Sequence, residues 1–390
     1  MAMSMMTTDK GSRDNMPFSA ADHSYMARAI QLARRGLYTT HPNPRVGCVI
    51  VRDGVVVGEG WHERAGQAHA EVHALRMAGE AARGADVYVT LEPCAHFGRT
   101  PPCADALAQA RVGRVVAAMV DPNPQVAGKG LQRLQALGVT VASGLLESEA
   151  HRLNPGFISA MERKRPWVRI KMAMSLDGRT AMASGESAWI TGEAARRDVQ
   201  FWRAQAGAVL TGIGTVLADN PALNVRLSAA ELDIHGDVRQ PVRVILDSRL
   251  RLPIDAKLLS EPGPVLVYTC APDAMKMAEL EQRGVRLQYL PDYMSGRQLV
   301  LPDVLRSLCA EGIHEVHVEA GATLGGRLLE QGLADELLVY MAPHLMGSEA
   351  RPLFNLPVQQ MQGRLPLQIR DLRAVGQDWR ILADFSKGQS

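Results

Sequence analysis

The feature that most constrains this chain is a set of metal-binding residue types within a short stretch of sequence. His69 is followed two positions later by Glu71, and Cys94 and Cys103 come next. One histidine and two cysteines can fill three of the four tetrahedral positions around Zn²⁺. The chain must therefore fold so that these three side chains converge, with the Glu71 carboxylate beside them.

Three protein ligands leave the fourth position open for water, and bound Zn²⁺ lowers the pKa of that water to about 7. Glu71 would then carry a proton from the water to a departing amine. The zinc deaminase signature in its general form is H-x-E followed by P-C-x-x-C. Here Pro93-Cys94 is present, but the second cysteine, Cys103, stands nine residues after the first.

A structural zinc site closed by four ligands is the alternative, with His73 or His96 as the fourth. His73 lies one turn after His69 on the same helical face, so this pair is geometrically possible. Glu71, however, has little reason to stand beside a structural metal, and its presence favours a catalytic site. We expect His73 to pack or to support a ligand, and His96 to face a substrate.

Length and composition limit the remaining possibilities. A chain of 390 residues predicts about two domains. The net charge of +2 produces no strong positive potential of the kind that attracts nucleic acid. No apolar run approaches the ~20 residues of a membrane span. We therefore expect neither a nucleic-acid nor a membrane partner. Five cysteines, an odd number, disfavour a disulfide framework and indicate a reducing cytoplasm.

The pattern of apolar runs divides the chain into two α/β blocks after a polar extension, residues 1–20, which we expect to be disordered. The block 21–150 has the order α-β-β-α-β-α-β-α-β, typical of a three-layer α/β domain, with a hairpin turn at Asp53-Gly54. Residues 151–166 are predicted to be a linker. The block 167–390 alternates strands with helices and ends in strands, which predicts a mainly parallel sheet with antiparallel strands at one edge.

Three polar, glycine-containing segments follow strands of the second block. They are Ser175-Leu-Asp-Gly178, Thr211-Gly-Ile-Gly-Thr215 and Gly321-Ala-Thr-Leu-Gly-Gly-Arg327. Loops at the carboxyl ends of parallel strands form a ligand crevice, and a glycine-rich turn before a helix can cradle a phosphate. Tight turns are the alternative explanation of these glycines. Arg203 and Arg226 are candidates to clamp a phosphate, and solvated surface arginines are the alternative.

Taken together, these motifs resemble the bifunctional deaminase–reductase family of riboflavin biosynthesis over residues 24–385. The motifs are His41-Pro-Asn-Pro-Arg-Val-Gly47, His69-Ala-Glu-Val-His-Ala-Leu75, Thr90-Leu-Glu-Pro-Cys94 with Cys103, Ser175–Thr180, Thr211–Arg226 and Glu319–Gly325. The wide spacing of the two cysteines is the form that this family uses. The resemblance implies an N-terminal cytidine-deaminase-like domain and a C-terminal dihydrofolate-reductase-like α/β domain.

The resemblance also implies two reactions. The first is hydrolytic deamination of 2,5-diamino-6-ribosylamino-4(3H)-pyrimidinone 5′-phosphate. The second is NADPH-dependent reduction of the ribosyl side chain to ribityl, giving 5-amino-6-ribitylamino-uracil 5′-phosphate. The implied cofactors are Zn²⁺ and NADPH, the implied partner is a small phosphorylated pyrimidine, and the implied assembly is a homo-oligomer.

Residue roles follow from the same resemblance. His69, Cys94 and Cys103 would bind zinc, and Glu71 would shuttle the proton. The implied NADPH contacts are Ala173, Trp189, Thr215, Asp219, Ser248, Gly321, Ala322, Thr323, Leu324, Gly325, Gly326 and Arg327. The implied substrate contacts are Ser187, Arg203, Leu223, Arg226 and Glu319. An ordinary core position is the alternative for Trp189.

Two functions of other classes fit the sequence less well. A nucleic-acid-editing deaminase would need a basic face or an aromatic stacking platform, and the aromatic content of 5% disfavours it. A non-enzymatic, zinc-stabilised binding protein would have no use for Glu71 or for the polar loops of the second block.

Overall fold

The structure, a computed structural model, describes residues 18–95, 101–124, 126–291 and 298–385, which form two compact units. The first unit combines Met1–Thr40 with Arg45–Asn154, and the second combines His41–Pro44 with Pro155–Ser390. Most of the predicted extension, residues 1–17, lies outside the described residues, as does His96.

The first unit has the element order that the sequence predicts. Its helices are α1 (Ala20–Arg34), α2 (Ala70–Ala78), α3 (Cys103–Gln109), α4 (Lys129–Ala136) and α5 (Glu147–Leu153). Its strands are β1 (Gly47–Arg52), β2 (Val55–Trp61), β3 (Asp86–Val89), β4 (Arg114–Ala117) and β5 (Thr140–Ser143). They form one sheet in the order β2-β1-β3-β4-β5, in which β1 is antiparallel to both neighbours and β3, β4 and β5 are parallel. The predicted turn at Asp53-Gly54 joins β1 to β2.

The core of the first unit forms where helices cover the sheet. Ile50, Val87 and Val89 of the central strands pack with Ala74 of α2 and Leu107 of α3. The alanine-rich face of α2 allows this helix to lie close to the strands. The starts of α2 and α3 are thereby fixed against the sheet, and these two starts contain His69 and Cys103.

The second unit is larger. Its helices are α6 (Pro155–Arg163), α7 (Glu193–Gln205), α8 (Ile213–Asp219), α9 (Lys257–Ser260), α10 (Ala274–Gln282), α11 (Leu301–Ala310) and α12 (Ala322–Glu330). Its strands are β6 (Trp167–Ser175), β7 (Arg179–Ala181), β8 (Ala208–Gly212), β9 (Val242–Leu246), β10 (Val265–Thr269), β11 (Val285–Tyr289), β12 (Glu315–Glu319), β13 (Glu336–Ala342), β14 (Arg351–Pro352), β15 (Leu367–Val375) and β16 (Asp378–Phe385).

Nine of these strands form one sheet in the order β11-β10-β9-β8-β12-β6-β13-β16-β15. All neighbours from β11 to β13 are parallel, and β16 and β15 are added antiparallel at one edge. This confirms the predicted sheet. The short strands β7 and β14 pair separately. Among the described residues, no helix combines the length and the hydropathy needed to cross a membrane.

The predicted linker, residues 151–166, is largely helical in the structure. The helix α5 ends at Leu153, α6 begins at Pro155, and the boundary between the two units falls between Asn154 and Pro155. Asn-Pro-Gly resembles a turn in sequence, but proline is also favoured in the first turn of a helix, where its missing N–H is not needed. Asn154 is buried, and its side chain bonds both the N–H and the C=O of Arg45 (2.7 and 2.9 Å).

A buried carboxylate near the start of the chain links three elements of the first unit. Asp22 closes a capping box with Ser19 at the start of α1. Its Oδ1 accepts hydrogen bonds from the Tyr88 hydroxyl of β3 (2.6 Å) and from Arg114 Nη1 of β4 (2.9 Å). Burial alone would raise the pKa of Asp22, but the bonds from Tyr88, Ser19 and Arg114 hold it well below its usual range. The ionised carboxylate therefore stabilises the fold.

We predict that Asp22→Asn lowers the free energy of unfolding of the first unit by about 1–3 kcal/mol, because buried donors lose their acceptor. Because the folded pKa is depressed, the stabilisation is present above the unfolded pKa of about 3.9 and is lost as the pH falls through the folded value. The difference between wild type and variant should therefore shrink as the pH is lowered below about 4. Urea unfolding at several pH values measures it, with Tyr88→Phe as a milder control. Equal stability at pH 7 would contradict this role for Asp22.

Candidate functional site

The three predicted metal ligands converge in the first unit. The ligand atoms of His69, Cys94 and Cys103 all lie within 4.8 Å of one another. His69 Nδ1 is 3.8 Å from Cys94 Sγ and 3.3 Å from Cys103 Sγ. Tetrahedral zinc with ordinary Zn–N and Zn–S bond lengths would separate such atoms by about 3.6 Å. The spacing therefore fits a zinc ion bound by these three residues.

Local sequence explains how each ligand is presented. His69 is the N-cap residue of α2, with extended backbone (φ −75°, ψ 164°), so its side chain projects from the helix start. Cys103 is the first residue of α3, and Pro101-Pro102 restrict the backbone before it. Cys94 follows the end of β3 through Pro93. Negative charge on ligands is stabilised at the starts of helices, where the backbone N–H groups point outward.

Contact between the two cysteines shifts their pKa values in opposite directions. The thiol of Cys103 hydrogen-bonds to Cys94, and together with His69 and the Cys103 backbone N–H (3.2 Å) it lowers the pKa of Cys94 to about 4 against the effect of burial. The same interaction with Cys94, reinforced by burial, raises the pKa of Cys103 far above its usual range. A cation at this position would favour the thiolate form of both residues.

Glu71 lies in the first turn of α2 and is buried, with 3% of its surface exposed. Its Oε2 has no hydrogen-bond partner among the described residues. Burial raises the pKa of Glu71, and His69 partly opposes this shift. A buried carboxylate oxygen without a partner beside a metal cluster suits a group that exchanges protons with a bound molecule.

The alternative of a closed, four-ligand site receives no support from His73. Among the described residues the cluster contains His69, Cys94 and Cys103 and no fourth histidine, cysteine or carboxylate. The Nε2 atom of His73 is buried, and it has no hydrogen-bond partner among the residues that the structure describes. His96 lies outside the described residues, so its predicted contact with a substrate stays a prediction.

In the second unit, the predicted residues gather mostly at the carboxyl ends of neighbouring parallel strands. Ala173 lies near the end of β6, Glu319 ends β12, and Ser248 follows β9. Thr215 and Asp219 lie in α8, directly after β8, and Leu324 of α12 approaches Gly212 at the end of β8. This is the edge at which open parallel sheets bind ligands.

Arg203 and Glu319 form a largely buried ion pair at this edge. Arg203 Nε and Nη2 donate to the two Glu319 oxygens (2.5 and 2.9 Å), and Nη1 donates to the Asn224 carbonyl (3.0 Å). Burial alone would raise the pKa of Glu319, but Arg203 holds it well below its usual range. Much of the hydrogen-bonding capacity of Arg203 is thus used inside the protein. Arg203 fixes the loop that contains Leu223 and Arg226.

Arg226 differs from Arg203 because its side chain is exposed, while its backbone N–H donates to Gln200 Oε1 of α7 (3.1 Å). Ser187 and Trp189 lie on the segment between β7 and α7. Trp189 is 75% exposed, with the Arg196 guanidinium 4.6 Å above its ring. The interpretation of Trp189 as a core residue is therefore wrong.

The glycine-rich segment 321–327 is helix rather than loop. Gly321 is the N-cap of α12, and the helix begins at Ala322. A side chain at Gly326 would meet the Asn355 carbonyl at 2.2 Å, and one at Gly325 would meet the Phe354 ring at 2.9 Å. These two glycines are required by close packing inside the unit. The exposed part of the segment is its start, at Gly321 and Thr323.

Sequence reasoning missed two polar residues beside the ion pair. Lys171 of β6 lies opposite Glu319 of β12, and His317 of β12 lies opposite Arg169 of β6. Burial lowers the pKa of Lys171, against the attraction of Glu319. Burial likewise lowers the pKa of His317 to about 3. Strands of a parallel sheet are usually apolar on both faces. Polar residues alternating along β6 and β12 are therefore the sequence signal that could have found Lys171 and His317.

Two known protein families match separate parts of the chain. Residues 19–119 match the family described as the cytidine and deoxycytidylate deaminase zinc-binding region. Residues 166–381 match the family described as the RibD C-terminal domain. The two matched ranges do not overlap.

Relatives match both blocks at once. The riboflavin biosynthesis protein RibD of Escherichia coli strain K12 is 51% identical over 363 residues, which cover 92% of this chain and 97% of that protein. The solved structure of RibD from Acinetobacter baumannii is 50% identical, with a TM-score of 0.86, and the match covers 94% of this chain and 99% of that one.

A solved structure from Thermotoga maritima, described as a diaminohydroxyphosphoribosylaminopyrimidine deaminase/5-amino-6-(5-phosphoribosylamino)uracil reductase, is 33% identical with a TM-score of 0.81. The match covers 94% of this chain and 99% of that chain. These matches confirm the predicted fold class, a cytidine-deaminase-like domain followed by a dihydrofolate-reductase-like domain. The chain belongs to the bifunctional deaminase–reductase family of riboflavin biosynthesis, whose members pair a zinc-dependent deaminase with an NADPH-dependent reductase.

Proposed function

We propose that His69, Cys94 and Cys103 bind the zinc ion and that Glu71 transfers the protons of deamination. The observation that supports this is the convergence of the three ligand atoms within 4.8 Å, together with the unpartnered oxygen of buried Glu71. When bound, zinc supplies Lewis acidity that makes water a nucleophile near neutral pH. The three ligands leave the fourth position of a tetrahedral site for that water.

Glu71 would act twice in this reaction. Its carboxylate accepts a proton from the attacking water as the new bond to C2 of the pyrimidine forms. It then gives that proton to the 2-amino nitrogen, the C2–N bond breaks, and ammonia leaves. The raised pKa of Glu71, caused by burial, makes the protonated form easier to reach than in an exposed glutamate.

In the second unit we assign the 5′-phosphate of the substrate to Arg226. Its guanidinium is exposed, whereas Arg203 is buried and paired with Glu319. Arg203 and Gln200 hold the backbone at Asn224 and Arg226, so Arg203 would position the loop while Arg226 contacts the phosphate. Leu223 and Ser187 remain proposed substrate contacts.

Lys171 and Glu319 would act on the sugar. Both side chains are partly exposed at the carboxyl edge of the sheet, on adjacent strands. When bound, NADPH supplies the hydride that C1′ receives. As the bond from C1′ to the ring oxygen breaks, that oxygen needs a proton, and we assign the proton to Lys171. Its lowered pKa, caused by burial, favours proton release. Glu319 would accept hydrogen bonds from sugar hydroxyls.

NADPH would lie along the carboxyl edge, against Ala173, Thr215, Asp219, Ser248 and the start of α12. Gly321, Ala322, Thr323 and Leu324 belong to that start, and backbone N–H groups there suit a phosphate. Gly325 and Gly326 would support this contact through packing. Arg327 and Trp189 are the remaining proposed cofactor contacts.

We also propose a homo-oligomer assembled through the second unit and a cytoplasmic location. The edge strand β15 and its neighbour β16 expose Leu367, Ile369, Leu372 and Trp379, each with more than two fifths of its surface accessible. A second copy of the chain would cover these apolar side chains. All five cysteines are free thiols, which suits a reducing compartment.

We predict that Glu71→Gln keeps the zinc but reduces ammonia release by at least about 100-fold, because the proton carrier is lost. Zinc content is measured by elemental analysis, and ammonia is measured with the diaminopyrimidinone phosphate as substrate. NADPH oxidation with the deaminated intermediate serves as the control and should be unchanged. Loss of the zinc together with activity would show that Glu71 is a ligand and that its assignment as proton carrier is wrong.

We predict that Arg226→Ala raises the KM for the phosphorylated substrate of the reductase by about 10–100-fold, since a charge-assisted bond contributes about 1.5–3 kcal/mol. The KM for NADPH should change little. Arg197→Ala is the matched control, because Arg197 is an exposed arginine paired with Glu231 (2.6 Å). An unchanged substrate KM in the Arg226 variant would refute the phosphate assignment.

We predict that Lys171→Met lowers the kcat of reduction by at least about 100-fold, as expected for loss of a general acid. The KM values for substrate and NADPH should change little, because Met fills a similar volume and leaves the Arg203–Glu319 pair in place. Steady-state kinetics of NADPH oxidation measures kcat and the two KM values separately, and ammonia release checks that the first unit is intact. A raised KM with an unchanged kcat would instead assign Lys171 to binding.

A further inference from the structure

Glu92 is a buried carboxylate two residues before the metal ligand Cys94, and the proposed reaction does not use it. Only 3% of its surface is exposed. Its Oε2 accepts the backbone N–H groups of Asp121 (3.1 Å) and Gly128 (2.8 Å). Its Oε1 accepts those of Gly130 (2.8 Å) and Leu131 (3.2 Å). Both oxygens are thus satisfied by backbone donors alone.

These four donors come from two segments that are distant from Glu92 in sequence. Asp121 follows β4, whereas Gly128, Gly130 and Leu131 belong to the start of α4. The Glu92 N–H also donates to the Met119 carbonyl (3.0 Å). Glu92 therefore joins the chain after β3 to the segment after β4 and to α4, and displacement of any of them would leave a buried charge or donor unpaired.

The packing around Pro93 leaves little freedom for movement. A Cβ atom at Gly130 would lie only 1.9 Å from the Pro93 carbonyl oxygen. The first turn of α4 therefore lies directly on the peptide group that precedes Cys94. Only glycine fits this contact, so the backbone of the helix start packs directly against the Pro93-Cys94 peptide with no side chain between them.

Cys94 is held from its other side by the start of α3. The Ala104 N–H donates to the Cys94 carbonyl (3.2 Å), and the Cys103 N–H donates to Cys94 Sγ (3.2 Å). Cys94 thus lies between two supports, α3 on one side and the Glu92 network on the other. Small displacements of a ligand matter, because zinc requires bond lengths and angles within narrow limits.

We propose that Glu92 is a positioning residue of the metal centre, which fixes the Pro93-Cys94 turn by accepting four backbone N–H groups from the two segments beyond it. The proposal rests on the assignment of Cys94 as a zinc ligand. Replacing a residue that orients a metal ligand lowers metal affinity by about 10–100-fold. The role differs from general stabilisation because it acts on the geometry at Cys94.

The test compares Glu92→Gln and Glu92→Asp with wild type in the full-length chain. In Glu92→Gln the amide nitrogen would face two backbone N–H donors, so two hydrogen bonds are lost. In Glu92→Asp the charge is kept but the reach is shorter. The zinc dissociation rate, followed with a colorimetric chelator, should rise about 10–100-fold for Glu92→Gln and by less for Glu92→Asp. The d–d absorption of the Co²⁺-substituted protein should shift in the same order.

Asp22→Asn is the matched control. Asp22 is also a buried carboxylate of the first unit, but its partners are Ser19, Tyr88 and Arg114, none of which is a metal ligand. This variant should lower stability without changing the zinc dissociation rate or the Co²⁺ spectrum. If Glu92→Gln lowers stability but leaves both readouts as in wild type, the positioning role is refuted. If Glu92→Gln does not fold, the readouts of Glu92→Asp decide in the same way.

Failure of the underlying zinc assignment would look different. In that case wild type itself would bind no stoichiometric zinc, or Cys94→Ser would leave the zinc dissociation rate and the Co²⁺ spectrum unchanged. The positioning proposal, in contrast, fails when Cys94→Ser alters both readouts and neither Glu92 variant does.

Discussion

A charge buried away from water costs free energy unless it is paired, and this constraint positions both sites of the chain. In the first unit, Glu92 accepts four backbone N–H groups beside Cys94, a proposed zinc ligand. In the second, Glu319 at the end of β12 accepts two hydrogen bonds from Arg203 of α7. In each case a carboxylate at or shortly after the end of a strand is tied to a helix that covers the sheet. The surrounding residues are thereby restricted to one arrangement.

The two sites use this constraint for different purposes. The proposed metal cluster is largely enclosed, since His69 and Cys103 lie at the starts of two helices packed against the sheet and Glu71 is buried beside them. Such enclosure suits a metal that needs fixed ligands. The second site lies along an open edge, where Lys171 and Glu319 are partly exposed and the start of α12 is accessible. An open edge suits a reaction in which a dinucleotide and a sugar phosphate must both enter and leave.

Much of the architecture was predictable, because it follows from local periodicity. The element order of the first unit and the parallel sheet with its antiparallel edge agree with the sequence analysis. The sequence is ambiguous where a residue type has two local meanings. Asn154-Pro155-Gly156 resembles a turn, yet Pro155 begins a helix. Gly325 and Gly326 resemble a phosphate loop, yet they lie within α12 because Phe354 and Asn355 pack against them.

The sequence alone determined the chemistry available to this protein: a histidine, two cysteines and a glutamate in an order that suits zinc-dependent deamination, and polar loops after the strands of a parallel sheet. Tertiary structure alone decided which charges meet. Arg203 and Glu319 are 116 residues apart, and the backbone donors of Glu92 are 29 to 39 residues beyond it. Pairing energy depends on distance and burial, and neither quantity is encoded by residue type or by a local repeat. For that reason the roles proposed for Lys171 and Glu92 depend on contacts that exist only in the folded chain.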